Sequence, residues 1–391
     1  MGIRAGLSGV AIAVLAATSA YAQTPVKIGL ITTLSGPGGY LGADIRDGFM
    51  LAVEMGGGKL GGIPVEVAIE DDGFKPGNGK QIANKFLQND KIKLFTGIVF
   101  SNIANATVPD IVDAGAVYVS PNAAPSNFSG KDCNKNYFVV SWQNDALHEA
   151  GGQDATNLGY KKAFLLALNY QAGKDALTGF KRYFKGEIIG EVYTRLDQTD
   201  FATEMAQIRA ANPDVVYQFH PGGLGITFAR QYQQAGLLGT IPMVVAEPSM
   251  DSTIVKAVGD AAVGVNVSAH WNTDFDNDAN KAFMTAWRQK YGADRVPTFY
   301  ASQGYDTALA MGAGLKGVNG NLDDIDAFDA AMRKADFHSV RGAFKFGNNQ
   351  HPIQDWYALR VEKGADGKPF LKTLGKIMSD HGDAYAKDCK L

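Results

Sequence analysis

The sequence predicts an α/β protein made of two doubly wound α/β lobes joined by a multi-crossover hinge. Three observations carry that expectation. Short β-branched runs alternate with helical patterns through the first third of the chain, and the same alternation starts again near residue 162. Two late helices and a late strand then read as material returned to each half in turn. With 391 residues, 46% of them hydrophobic, and 46 Gly but only 2 Cys, the chain can give each half its own core without disulfide scaffolding.

Taken in chain order, residues 1–22 read as a secretory signal peptide: one charge at Arg4, an apolar stretch over 6–17, and the small-residue site Ala20-Tyr21-Ala22 before Gln23. Cleavage after Ala22 would leave the protein in an oxidising compartment such as a bacterial periplasm, without the N-terminal Cys that lipid anchoring requires. The first half then runs as strand 26–31, helix 42–56 with Ile45, Phe49, Ala52 and Val53 on one face, strand 65–69, helix 80–89, strand 93–97, helix 102–114 and strand 117–120. The second half runs as strand 162–168, helix 173–184, strand 186–193, helix 201–211, strand 214–219, helix 225–235 and strand 243–246. Helices 279–291 and 300–315 read as additions to the first lobe, and strand 356–361 as a return to the second. The expected domains are therefore 25–142 with 272–352, and 143–271 with 353–391. Connections of a few residues between such lobes can absorb a rigid-body closure.

Lys plus Arg number 37 against 40 Asp plus Glu, a net charge of -3 that becomes -4 once Arg4 leaves. That balance lacks the basic excess a phosphate-backbone binder needs, so nucleic acid is not expected as a partner. No internal apolar run reaches the roughly 20 residues needed to cross a bilayer, so direct membrane insertion is not expected either. Two cysteines in an oxidising compartment are expected to pair. A Cys133–Cys389 bond would tie the tail to the body, and the chain-entropy model values so long a loop at roughly 4 to 5 kcal/mol.

Open parallel sheets bind ligands beyond the carboxyl ends of their strands, so the residues just after each strand are the site candidates. Tyr40 follows the first strand in the glycine-rich loop 33–42. Phe100 and Ser101 follow the third, where a hydroxyl and the N–H groups of a helix start can hold an anion. Asn122, Ala123 and Ala124 follow the fourth and offer more N–H groups beside a small-residue wall. The second lobe supplies Tyr170, Phe219, His220 and Glu247, and Tyr300 opens the helix returning to the first. Together they describe an aromatic cleft with three placed polar groups, Ser101, His220 and Glu247, suited to a small organic ligand. Each also has a plainer reading: core packing for Phe100 and Phe219, a structural histidine at 220, a helix cap at Glu247.

Chemistry beyond binding finds little foothold. The mature chain has no G-x-S-x-G and no H-E-x-x-H, its six His show no metal-ligand spacing, no P-loop occurs, and the glycine-rich loop 33–42 lacks the G-x-G-x-x-G spacing of a nucleotide site. The acidic tract 274–278 lacks the Glu that a calcium loop would place after it. No metal, no cofactor and no enzymatic activity are expected. His220 with Glu247 is the one acid–base pair at hand, and no nucleophile accompanies it.

With these residues in place, the sequence resembles the solute-binding proteins of ABC importers, of the branched-chain amino-acid binding type (type I periplasmic binding fold). The resemblance covers nearly the whole mature chain. It rests on Val26-Lys-Ile-Gly-Leu30 with Ser35-Gly-Pro37, on 97–101, on Val119-Ser-Pro121, and on Ala246-Glu247 followed by 258–264. It implies that Ser101 and the N–H groups of Asn122 to Ala124 hold a ligand carboxylate, that Tyr170 completes the grip, and that Glu247 receives the ammonium of amino-acid ligands. It also places Tyr40 and Tyr300 on the pocket wall, and implies capture by hinge closure and delivery to an ABC transporter permease. A monomer is expected.

Departures from the pattern bear on the ligand. Ala124 stands where amino-acid binders carry Thr or Ser, and burying an ammonium with incomplete partners costs several kcal/mol. His220 adds a donor that could meet a carboxylate or a phenol. The runs 340–346 and 351–354 resemble the branch that carries aromatic acids such as benzoate and hydroxycinnamate derivatives. Glu247 argues the other way. The expected ligand is a small aromatic carboxylate, with a branched-chain or other apolar amino acid as the alternative; a receptor ectodomain or a secreted enzyme stands further off.

Overall fold

The computed structural model describes Gly2 and residues 24–391, so the expected signal peptide and its cleavage site lie outside the described residues apart from Gly2. Strands β1 (Val26–Thr32), β2 (Lys59–Leu60), β3 (Ile63–Asp71), β4 (Leu94–Thr96), β5 (Val117–Ser120) and β6 (Tyr137–Val139) form one sheet in the order β2-β3-β1-β4-β5-β6. All but β2 are parallel, with Ile28 paired to Val67 on one side and Leu94 on the other. Helices α1 (Gly39–Met55), α2 (Pro76–Gln88) and α3 (Ser101–Asp113) connect them. Residues of β4, β5 and β6 are buried throughout, which is why these strands read as unbroken apolar runs and not as alternating ones.

The second sheet contains β7 (Lys162–Leu168), β8 (Glu187–Thr194), β9 (Val215–Phe219), β10 (Met243–Ala246), β11 (Asn266–Ala269), β12 (Lys345–Phe346) and β13 (Pro352–Lys363), ordered β12-β13-β11-β10-β9-β7-β8, with β14 (Pro369–His381) paired to β13. Its helices are α4 (Asn144–Asn157), α5 (Gln171–Tyr183), α6 (Ala202–Ala211), α7 (Gly223–Gln234) and α8 (Ser252–Val258). The chain then returns to the first sheet as α9 (Asp278–Tyr291), α10 (Phe299–Gly317) and α11 (Ile325–Arg333). Helix α10 lies against α1 so closely that a Cβ on Gly48 would stand 1.9 Å from the Ala301 carbonyl oxygen, and one on Gly304 2.1 Å from that of Ile45. Arg295 fastens the same junction by bonding Asp44 at 2.6 Å and Asp47 at 2.7 Å.

Three crossings therefore join the halves: between β6 and α4, between β11 and α9, and between α11 and β12. At the last, buried Arg341 pairs with Asp306 at 3.1 Å and donates to the Ser141 carbonyl at 2.9 Å and to Gln354 Oε1 at 2.7 Å. The runs 340–346 and 351–354 thus belong to the crossing strands. The expected boundary after residue 352 also cuts a hairpin, because β12 pairs antiparallel with β13 through Lys345 and Ile353. Cys133 and Cys389 are joined by a disulfide, as two cysteines in an oxidising compartment should be.

The lobes meet across the cleft. Tyr40 on α1 donates to Asp251 Oδ2 at 2.7 Å, the Gly223 N–H donates to the Pro37 carbonyl at 3.1 Å, and Ser126 Oγ donates to Asp175 Oδ1 at 2.7 Å.

Candidate functional site

A small cavity lies between the two sheets at the carboxyl ends of their strands. Phe100, Ser101, Asn122 and Ala123 reach it from the first half, Tyr170 and Phe219 from the second, and Tyr300 from the start of α10. These seven of the expected residues do come together. Phe219 and Tyr170 stack with ring centroids 6.4 Å apart. Trp142, Asn144 and His148 also line it, and sequence reasoning missed all three. They follow β6, a three-residue strand; had 137–139 been read as a strand, the rule that ligands sit after strand ends would have led to Trp142 and Asn144.

Three helices begin at this cavity: α3 at Ser101, α4 at Asn144, and α5 just after Tyr170. Their dipoles favour negative charge, although at α4 the Asn144 and Ala146 N–H groups are already bonded to the Ala124 carbonyl and to Gln143. Among the described residues no Lys, Arg, Asp or Glu lines the cavity, so an anion there would be held by dipoles and neutral donors. Asn144 sets the direction of one such donor. Its Nδ2 donates to Ser101 Oγ at 3.0 Å, occupying a lone pair and leaving the serine's own proton to point elsewhere. The second Nδ2 proton goes to Asp175 Oδ2 at 3.0 Å. Asp175 is in turn satisfied by the Ser126 N–H and hydroxyl and by Gln171, which keeps its charge out of the cavity. His148 Nδ1 lies 2.5 Å from the Tyr217 hydroxyl, and its ring meets Phe219 edge-on with centroids 4.8 Å apart. Burial pushes the His148 pKa down to about 3, so the ring is neutral.

Four expected site residues are placed elsewhere. His220 is fully buried in the second half, its Nε2 2.9 Å from Thr194 Oγ1 and its Nδ1 2.9 Å from Gln218 Oε1, with Phe228 stacked on it. Side chains alternate along a strand, and the parity that sends Phe219 into the cavity sends its neighbour the opposite way. Glu247 faces a separate, larger cavity shared with Asp251, Trp271, Arg295 and Phe299. Its Oε1 accepts from the His270 backbone N–H and lies 2.9 Å from His270 Nδ1, while burial drives its pKa well above the usual carboxylate range and that of His270 well below the usual imidazole range. Tyr40 is spent on Asp251, which caps α8. Ala124 is walled off, and its N–H donates to Asn144 Oδ1 at 3.3 Å, as that of Ala123 does to the Ile98 carbonyl at 3.3 Å. The amides of the 122–124 segment expected to grip a carboxylate are in these two cases already bonded within the protein.

Among the described residues no group of three His, Cys, Asp or Glu could hold a metal ion, and no helix is long and apolar enough to cross a membrane.

Comparison with known proteins bears on this geometry. Residues 25–368 match the family model described as periplasmic binding protein. A solute-binding protein of an ABC transporter from R. palustris, solved in complex with benzoate, superposes with a TM-score of 0.88 at 31% identity, covering 94% of this chain and all of that one. A second, from Rhodopseudomonas palustris BisB5 in complex with 3,4-dihydroxy benzoic acid, gives 0.84 at 27% identity over 92% of this chain and 99% of its own. The Leu/Ile/Val-binding protein homolog 6 of Brucella melitensis is 26% identical over 97% of this chain and 98% of its own length.

Proposed function

This chain belongs to the periplasmic binding protein family, as a substrate-binding protein of an ABC transporter, and we propose that its cargo is a small aromatic carboxylate of the benzoate type. The protein captures it by hinge closure in the periplasm and delivers it to a membrane permease. The observation that carries this reading is the composition of the cavity: five aromatic rings, from Phe100, Trp142, Tyr170, Phe219 and Tyr300, with neutral polar groups and no carboxylate. An α-amino acid brings an ammonium that must find acceptors on desolvation. Glu247, the residue the family resemblance assigns to that task, is turned to His270 instead. The helix dipoles that converge on the cavity and the Ser101 hydroxyl suit the carboxylate. The benzoate and dihydroxybenzoate complexes of similar solved proteins support the reading.

An apolar amino acid is the second reading, favoured by the name of the Brucella relative and by Glu247 Oε2, which is buried without a hydrogen-bond partner. Thermal-shift and calorimetric titration with benzoate, 4-hydroxybenzoate and cinnamate against leucine and valine separates the two. Stabilisation by the benzoates is expected. Stabilisation by leucine or valine alone overturns the aromatic reading.

A further inference from the structure

We propose that His148, locked by Tyr217 as the Nε2–H tautomer, is the donor that recognises an acceptor oxygen of the ligand and makes the site refuse an ammonium. The inference rests on the aromatic-carboxylate reading and names a residue that enforces it.

Tyr217 is fully buried, and among the described residues its hydroxyl has one hydrogen-bonding neighbour, His148 Nδ1. A buried hydroxyl proton without an acceptor is costly, so the O–H donates to Nδ1. A neutral imidazole that accepts at Nδ1 must carry its proton on Nε2. Burial keeps the ring neutral, its pKa near 3. Among the described residues Nε2 has no protein partner, and the His148 side chain lines the cavity. The result is a group with one vacant hydrogen-bonding position that can only donate. A carboxylate or other ligand oxygen satisfies it; an ammonium, itself donor only, leaves both unpaired.

Placement supports this role. Asn144 and His148 are four residues apart on α4 and so share one face, with their Cβ atoms about 6 Å apart. Asn144 aims the Ser101 proton, and Tyr217 aims the His148 proton, from adjacent points on the same wall. Both donors are oriented by a residue behind them before any ligand arrives, which lowers the ordering cost of binding. Phe219 edges against the imidazole and excludes water from that side.

The test uses the whole protein with benzoate and leucine as probes. In wild-type protein carrying 15N-labelled histidine, the imidazole resonances that vanish in His148→Gln should show the neutral Nε2–H tautomer at neutral pH and should shift when benzoate is added. Calorimetry should find benzoate affinity about tenfold lower in His148→Phe, and lower by a smaller factor in Tyr217→Phe, where the tautomer is no longer fixed. An Nδ1–H tautomer, or resonances indifferent to bound benzoate, overturns the proposal even if neither variant folds. Benzoate binding that weakens in Ser101→Ala but not in His148→Phe removes His148 while leaving the aromatic-carboxylate reading intact. Failure of benzoate to bind the wild type at all overturns both.

Discussion

Strand β9 presents Tyr217 and Phe219 to one side and Gln218 to the other, where His220, just past the strand's end, also lies; each side has a histidine, His148 on the first and His220 on the second. His148 and His220 are equally buried, and burial pushes both pKa values to about 3. They differ in saturation. His220 has a protein partner on each ring nitrogen, Thr194 and Gln218, and sits among Phe201 and Phe228. His148 has one partner and borders the cavity. Titration behaviour therefore does not distinguish a structural histidine from a binding one here; the count of satisfied nitrogens does.

The widest separation between the two sides should appear in stability. Replacing His220 with Ala opens a cavity and strands two buried polar partners, so unfolding free energy should fall by about 2 to 5 kcal/mol. Ligand affinity of the folded fraction should stay within twofold, and a tenfold loss in calorimetry would return His220 to the site. Ser101→Ala should do the reverse, costing about 1.5 to 3 kcal/mol of carboxylate binding with little change in denaturation midpoint. Equal affinity would remove Ser101 from the site.

pH sharpens the contrast in a second way. Because both histidines have folded pKa values far below that of an unfolded chain, their share of stability is present above about pH 6.5 and is lost as pH falls toward 3. Asp154 works with opposite sign: burial raises it to about 7, its Oδ2 has no partner, and its cost grows as pH rises from about 4 to 7. Asp154→Asn should thus stabilise by about 1 to 3 kcal/mol at pH 7 and by nothing at pH 4, read from denaturant melts at each pH. The smallest effect is expected from Glu247→Gln. Since Glu247 faces the neighbouring cavity, benzoate affinity should change by less than about threefold, within the range of a residue that does not touch the ligand. A hundredfold loss would mean the carboxyl reaches the cargo.

How far the sequence was legible follows from how each element is buried. Strands 117–120, 162–168 and 243–246 have the bounds their β-branched runs predict. Helix α4 was invisible because nearly all of it from Asn144 to Ala155 is buried, so it carries no apolar stripe against a polar face. Gly151 and Gly152 in its middle look like breakers, yet they let Tyr217 and the Phe180 backbone approach. That one unread helix is the source of both Asn144 and His148. Strand β14 escaped because its exposed positions, such as Leu374 and Lys376, dilute the strand pattern. At the site, the strand-end rule located Phe100, Ser101, Tyr170 and Phe219, but it says nothing of parity. Reading Val215, Tyr217 and Phe219 as one face and Val216, Gln218 and His220 as the other would have assigned His220 to the interior.

The disulfide has a topological consequence. Cys133 lies between β5 and β6 of the first sheet, and Cys389 follows β14 of the second, so the described chain, after its three crossings, is led back covalently to the lobe in which it began. The backbone becomes a closed circuit with four tethers between two bodies. If the lobes open and close as proposed, such a linkage would leave bending about the tethers as the easy motion and resist one lobe sliding or turning away from the other, returning the walls of the cavity to the same register.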